Sequence, residues 1–329
     1  MTAVASALKV VPTQSVHRLA WAAVARLACT LLAAIVLSQV LVPSKSAAQD
    51  CGVRLKDKGS CPRAVAAETP RGLALGTGVR AAAISTSALA YSPAAVSLGK
   101  LYHIEGNVDY MVDEKTAALG AAVVDSSTGK LGAGIGLRGF LSGDALGSFD
   151  GLDGRVALGL AVSDAFSIGL GGRYIDLSQD QRASDKGSKE VAQGFTMDAS
   201  ARVTLADQFQ IDVAALNFVD LGNPFVPVLL TSGLAVAVGS EISLGVDLLT
   251  DLSTFDKAGF VLGGGLEYLA GNSVPLRAGY DFDITRKIHE IGLGLGYTDR
   301  ELGLDIGFKQ EVSGGKGTRI MAAVRYYVE

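Results

Sequence analysis

Apolar residues alternate with small or polar residues along much of the chain after residue 100. From 291 to 297 every second residue is apolar and the residues between are glycines, and a similar run follows at 302–309 after a four-residue turn. A period of two is typical of β-strands, and two such runs about a short turn predict a hairpin. The pattern alone leaves open what the apolar face contacts.

Fourteen runs of this kind follow one another to the end of the chain. Each is about ten residues long, the length of a tilted strand that crosses a bilayer. The predicted strands are 101–111, 115–125, 131–141, 153–163, 165–176, 193–205, 208–217, 228–238, 241–250, 259–269, 274–284, 288–298, 301–310 and 318–328.

The connections between these runs alternate between tight and long. Short periplasmic turns and longer external loops are typical of a transmembrane barrel, whereas a soluble sandwich has no reason to sort its loops in this way. The tight connections are 163–165, 206–208, 239–240, 270–273 and 298–301, and the long ones are 142–153, 177–190, 219–227, 251–257 and 311–317.

The two faces of each strand differ, and strand number decides which face points outward. On the fourth strand Val156 and Leu158 share one face, and Arg155 and Ala157 share the other. About eight strands already leave an interior that side chains just fill, so a fourteen-stranded lumen is too wide for an apolar core. The apolar face must therefore contact lipid, where the sheet has to close on itself. The sequence predicts an all-β fold, a transmembrane antiparallel up-and-down β-barrel.

The first hundred residues divide into two segments. Residues 1–48 read as a secretory signal peptide, with a basic start, an apolar stretch at 27–42 and small residues before a cut after Ala48. An uncleaved anchor helix is the alternative, although sixteen apolar residues fall short of the ~20 that span a bilayer. Residues 49–100 then form a periplasmic N-terminal segment ahead of the barrel at 101–329.

Two cysteines remain after such cleavage, Cys51 and Cys61. In an oxidising compartment, cysteines this close together predict one local disulfide. A metal site would need further ligands, and Asp57 is the sole other candidate between them. We therefore predict a disulfide and no metal site.

Charged residues occur on the face that points into the predicted lumen. Interior ion pairs that brace the wall would explain their mixed signs, because unpaired buried charge is costly. A selectivity ring is the alternative, but it would favour one sign at one level. The candidate lumen charges are Arg138, Arg173, Asp198, Arg202, Asp247, Glu267, Arg277, Asp281 and Asp305.

Glycines also cluster on the inward face, at 132–136, 169–171, 263–265 and 292–296. Glycine in a strand often marks the close approach of another backbone, so a segment could thread the lumen and pack on this wall. General glycine enrichment in barrels is the alternative. Residues 71–99 are a candidate for that segment, because they are rich in small residues and carry no charge after Arg80.

Part of this segment carries a family resemblance. "GVRAAAISTSALAYSPAAVS", residues 78–97, resembles the N-terminal hatch of the outer-membrane long-chain fatty-acid transporter family, with Ser92, Pro93 and Ala94 at the family's Asn-Pro-Ala motif. "LEYLAGNSVPLRAGYD", residues 266–281, resembles the related shuttle barrels of the type IX secretion system. The resemblance implies fourteen strands, a hatch that plugs the lumen, and hydrophobic substrate that leaves sideways through the wall. Ser92, Pro93 and Ala94 become candidates for gating.

The most apolar predicted external loop is "VDLGNPFVPV", residues 219–228. Leu221, Phe225 and Val226 could form a hydrophobic entrance outside the membrane. A loop that packs over the barrel mouth is the alternative.

The sequence favours transport over catalysis. The net charge of −4 is spread along the chain, so we expect no nucleic-acid partner. Only His103 and His289 follow residue 48, and neither is accompanied by a nucleophile motif or metal-ligand spacing. We therefore expect neither an enzyme nor a cofactor.

We predict a plugged channel or transporter for small hydrophobic solutes, fatty-acid-like or aromatic, in the outer membrane of a Gram-negative bacterium. Its expected partners are outer-membrane lipid and a hydrophobic small molecule. A scaffold or secretion partner that binds another protein through external loops such as 177–190 is the alternative. A general porin is a further variant, although a glycine-walled, plugged lumen argues against a large open pore.

Overall fold

The computed structural model describes residues 69–141, 148–180, 188–206 and 208–328. The predicted signal peptide and the pair Cys51 and Cys61 lie outside these ranges. Within them, no helix has both the length and the apolar character needed to cross a membrane.

Fourteen antiparallel strands form a closed barrel in which each strand pairs with its neighbours in sequence and β1 pairs with β14. This confirms the predicted fold class and strand count. The strands are β1 Tyr102–Met111, β2 Thr116–Asp125, β3 Leu131–Leu141, β4 Phe149–Ser163, β5 Phe166–Asp180, β6 Ser188–Leu205, β7 Phe209–Leu216, β8 Leu229–Val238, β9 Ile242–Asp251, β10 Gly259–Ala270, β11 Val274–Asp283, β12 Ile288–Thr298, β13 Leu302–Ser313 and β14 Thr318–Val328.

Strands β4, β5 and β6 are longer than predicted, so the loop before β4 and the loop between β5 and β6 are shorter. The register between β4 and β5 continues without a shift from Phe149 to Ala161, so the parity of the inward face is kept in these extensions. Ile175 and Leu177 are nevertheless buried inside the barrel, whereas Asp176 between them is partly exposed. The apolar face points inward here, so a search for runs with an apolar outer face does not find the extensions.

The outer face of the barrel is apolar. On β4, Val156 and Leu158 are 52% and 56% exposed, whereas Ala157 between them is buried. In water so large an apolar surface would aggregate, and in a bilayer the lipid chains cover it. Exposed tyrosines near strand ends, where barrels carry interfacial girdles, are Tyr110, Tyr268, Tyr280, Tyr297 and Tyr326.

The two ends of the barrel differ. We call the end with the turns 164–165, 206–208, 239–241, 271–273 and 299–301 the turn side, and the opposite end the loop side. In the turn 299–301 the Asp299 carboxylate accepts hydrogen bonds from the backbone N–H groups of Leu302 and Glu301, which lower its pKa.

Residues 69–100, here the lumen segment, lie inside the ring of strands. They form helices α1 (Pro70–Leu75) and α2 (Thr86–Tyr91) and a 3₁₀ helix, Pro93–Leu98. The Thr69 side chain caps α1 by accepting the Gly72 N–H, and Pro70 occupies the first helical position. Gly76 ends α1 with a φ of 63°, and a Cβ there would also meet the carboxylate of Asp281. The sequence therefore has both a start and a stop for this short helix.

Candidate functional site in the lumen

A row of glycines on the inner wall carries helix α1. Gly245, Gly265, Gly279 and Gly292 are paired in register across four neighbouring strands, β9 to β12. A Cβ on Gly265 would lie 2.5 Å from the Leu75 carbonyl oxygen. The wall has to be smooth here because the backbone of the lumen segment lies directly on it.

A second row carries the 3₁₀ helix on another part of the wall. Ser200, Gly169, Gly159 and Gly132 are in register across β6, β5, β4 and β3. A Cβ on Gly132 would lie 2.6 Å from the Cα of Ser97. The inward glycines therefore contact the lumen segment, which is the close approach that their clustering suggested.

Ser92, Pro93 and Ala94 lie where the second row meets β7. Ser92 Oγ donates to Asp212 Oδ2 at 2.5 Å, and the Ala94 N–H donates to Ser200 Oγ at 2.7 Å. Pro93 begins the 3₁₀ helix. The three predicted gating residues thus hold the lumen segment against β6 and β7.

Arg202 joins the same group from β6. Its Nε donates to Asp212 Oδ2 at 3.0 Å, and its two terminal nitrogens donate to the carbonyls of Arg80 and Ala83 at 2.6 Å each. The side chain is 1% exposed. One guanidinium therefore pairs with a wall carboxylate and holds two carbonyls of the lumen segment.

Two further aspartates hold the backbone of the lumen segment. Asp281 on β11 accepts the N–H of Thr77 at 2.7 Å, and Asp247 on β9 accepts the N–H of Arg80 at 2.9 Å. Asp212, Asp247 and Asp281 lie on alternate strands and are in register through Gly233 and Gly263. The row of carboxylates thus offers acceptors at regular intervals across the wall.

A chain of ion pairs runs around the turn side of the lumen. It begins on the lumen segment, where Arg71 makes a two-pronged contact with Glu267, both distances being 2.9 Å. Charge-assisted bonds of this geometry are the strongest that side chains form. Beyond Glu267 the chain continues from strand to strand through Arg277, Asp305, Arg325 and Glu105.

The remaining candidate charges form smaller groups nearer the loop side. Arg173 pairs with Asp153 at 2.9 Å, and Arg155 lies 3.9 Å from Asp198. Arg138 and Arg319 share Asp109, and Lys309 lies 3.3 Å from Asp281. All nine predicted lumen charges therefore face the interior, and eight of them lie in ion pairs. Asp247 is the exception among the residues described.

An apolar cluster occupies the loop-side end of the lumen. Its buried members come from β2 to β6 and from the loop 217–228. Val226 is fully buried in it, Leu221 and Phe225 pack against it, and the rings of Phe149 and Phe225 meet edge to face at 5.6 Å. The three loop residues thus pack over the barrel mouth. The buried members are Ala118, Phe140, Phe149, Ile175, Leu177, Ala192 and Val226.

Two cavities border the lumen segment. One of about 60 Å³ lies between α2 and the wall, beside Arg138, Asp153 and Arg155. The other, about 350 Å³, opens on the turn side and is bordered by Arg71 and Arg325, among others. Residues of the lumen segment line both cavities.

Sequence reasoning missed the contacts of Arg71 and Thr77 with the wall. A signal for Arg71 exists, because Arg71 and Arg80 are the two charged residues between positions 69 and 99. An isolated charge in a buried segment needs a partner. The partner strand of each could not be read from the sequence.

Comparison with known proteins places the fold. No protein-family model and no curated protein sequence matches this chain. Among solved structures, it is similar to a Pseudomonas aeruginosa FadL homologue, with 13% identity over 79% of this chain and 97% of the other and a TM-score of 0.56. It is equally similar to the Pseudomonas putida toluene transporter TodX, with 13% identity over 80% and 98% of the two chains and a TM-score of 0.56.

The resemblance to the type IX shuttle barrels stays a prediction. At 13% identity these two similarities establish the fold alone. The matched regions cover 97% and 98% of the two solved chains. The chain therefore has the barrel fold of the FadL homologue and of TodX.

Proposed function

We propose that this protein is an outer-membrane channel for small hydrophobic solutes that the lumen segment closes at rest. The signal peptide predicted at 1–48 and the apolar outer wall of the barrel fit this location. The observation that carries the proposal is the course of residues 69–100, which lie on glycine rows on two parts of the wall and line both cavities.

The loop-side cluster supports a hydrophobic rather than a polar solute. An apolar solute leaves water for this cluster at a gain of roughly 25 cal/mol per Å² of apolar surface buried. Phe225 and Leu221 are only partly buried, so they are the side chains that a solute could displace with least loss of packing. The toluene transporter of the same fold fits an aromatic solute of this kind.

Uptake by whole cells tests the proposal. A Gram-negative host would express the full chain, a chain lacking residues 71–99, or no barrel, and the initial rates of labelled toluene uptake would be compared. We expect uptake to rise with the full chain and to rise further with the deletion. Heat-modifiable gel migration would check that each barrel is folded. Folded barrels that leave uptake at the host's level would contradict the channel.

The length of β4, β5 and β6 favours a second candidate function. These strands extend past their neighbours on the loop side, and Asp176 on β5 bonds Gln193 on β6 in the extension. A projecting sheet would suit a scaffold that binds a protein partner outside the cell. Crosslinking from a photoreactive residue placed at Asp176 in native membranes would test this, and recovery of lipid adducts alone would contradict it.

A further inference from the structure

The lumen segment brings two positive charges to the wall. Arg71 and Arg80 are its charged residues between positions 69 and 99. The Arg71 side chain pairs with Glu267, and the backbone N–H of Arg80 donates to Asp247. The wall at each of these two points holds one negative charge more than it can balance itself.

The first point is the chain of ion pairs on the turn side. Its wall members comprise three carboxylates, those of Glu105, Glu267 and Asp305, and two guanidiniums, those of Arg277 and Arg325. The wall part therefore carries one unbalanced negative charge. Arg71 from the lumen segment brings the group to neutrality through its two bonds to Glu267.

The second point is Asp247. Its neighbours in the row have a wall cation each, Arg202 for Asp212 and Lys309 for Asp281. Among the residues described, Asp247 has no ion pair, is 1% exposed, and accepts a hydrogen bond from the Arg80 backbone through Oδ2, while its Oδ1 has no partner.

Arg80 is the cation nearest to this carboxylate on the lumen segment. Its guanidinium is buried, lies 5.4 Å from the centre of the Tyr91 ring, and has two nitrogens without hydrogen bonds. Its positive charge therefore acts on Asp247 without an ion pair between the two side chains. The wall is short of two cations, and the lumen segment supplies two.

We infer that Glu267 and Asp247 set the charge of the solutes that pass this level. The inference rests on the proposed function, because it concerns the lumen after the segment has moved. Arg71 and Arg80 leave with the segment, and water then reaches the two carboxylates, which are ionised near neutral pH. A narrow passage lined by one sign of charge concentrates counter-ions and repels ions of its own sign. Uncharged and cationic solutes pass, and carboxylates such as fatty-acid anions are disfavoured.

Two double variants of the full chain separate charge from opening. R71Q/R80Q removes the two cations of the lumen segment, and E267Q/D247N removes the two carboxylates whose charge they balance, so both loosen the lumen segment. The first leaves the carboxylates on the wall, and the second leaves a neutral wall beside a cationic segment. In planar bilayers across a KCl gradient, we expect both to conduct more than wild type, with about a tenfold preference for K⁺ over Cl⁻ in R71Q/R80Q at low salt and none in E267Q/D247N.

The control is the double variant K257Q/K287Q. It removes two exposed loop-side cations and should leave conductance at the wild-type level. Equal ion preference in the two lumen variants overturns the inference. Wild-type conductance in both overturns it as well, because these pairs then do not hold the segment. If deletion of 71–99 nevertheless raises uptake, the proposed function stands and the inference alone falls.

Discussion

The two ends of the lumen are held together by different forces. The loop-side end is an apolar cluster in which Phe140, Ile175 and Leu177 are at most 1% exposed. The turn-side end is a chain of ion pairs beside an open cavity of about 350 Å³. Apolar packing tolerates a change of neighbour or of orientation, whereas an ion pair depends on an oppositely charged partner in a defined geometry. The mouth can therefore adapt to varied apolar solutes, while the inner level distinguishes charge.

The lumen segment is held to the wall by directional polar contacts, as the turn-side end is. Its anchors are directional bonds to Glu267, Asp281, Asp247, Asp212 and Ser200. Each anchor can be removed by one substitution on the wall without touching the apolar cluster. The contrast between the two ends can thus be tested one residue at a time.

The largest effect is expected for Arg202→Ala, which removes the guanidinium that joins Asp212 to the lumen segment. The substitution leaves Asp212 buried without its cation and frees two carbonyls of the lumen segment, so we expect the free energy of unfolding to fall by about 3–5 kcal/mol. Guanidinium titration in lipid vesicles, followed by far-UV circular dichroism, measures this. Arg319→Ala is the matched control, because Arg138 still faces Asp109, and its loss should be less than half as large. Equal losses would contradict the central role of Arg202.

The sequence was sufficient to predict the wall. A barrel side chain faces either lipid or lumen, so alternation reports orientation directly, and all fourteen runs correspond to strands. Charges such as Arg138 and Asp305 could be assigned to the lumen by parity alone. The prediction was wrong where the apolar residues face the inside, as at Ile175 and Leu177, and the extensions of β4 and β5 were missed for that reason.

The partners within the lumen could not be predicted. Thr77 and Asp281 are 204 residues apart, and Arg71 and Glu267 are 196 apart. The alternation fixes the face of each wall residue but not which part of the lumen segment lies against it. The roles of Ser92, Pro93 and Ala94 in gating, and of the loop residue Phe225 in solute entrance, stay predictions.

Gly279→Val should open the lumen beside α1, and it should lower the free energy of unfolding by less than Arg202→Ala does. A Cβ on Gly279 would lie 2.7 Å from the Ala74 carbonyl oxygen, so α1 has to leave the wall. Overpacking of this kind costs about 1–3 kcal/mol, and we expect single-channel conductance to rise. Gly106→Val is the control, because its added side chain has open space on the outer face of β1. A conductance unchanged in Gly279→Val would mean that α1 does not close the path.

The smallest loss of unfolding free energy is expected at the apolar end, where two isoleucines on the same strand can be compared. Ile175 is fully buried in the cluster, and Ile168 is 41% exposed on the lipid face. Ile168→Val loses only the transfer energy of one methylene, about 0.8 kcal/mol, since mobile lipid chains fill the space. Ile175→Val adds a cavity and should reach about 1.5 kcal/mol if the cluster is rigidly packed. Equal losses in the guanidinium titration would mean that the cluster repacks around the missing methylene as freely as lipid chains do. Solutes could then enter the barrel mouth without displacing the loop 217–228.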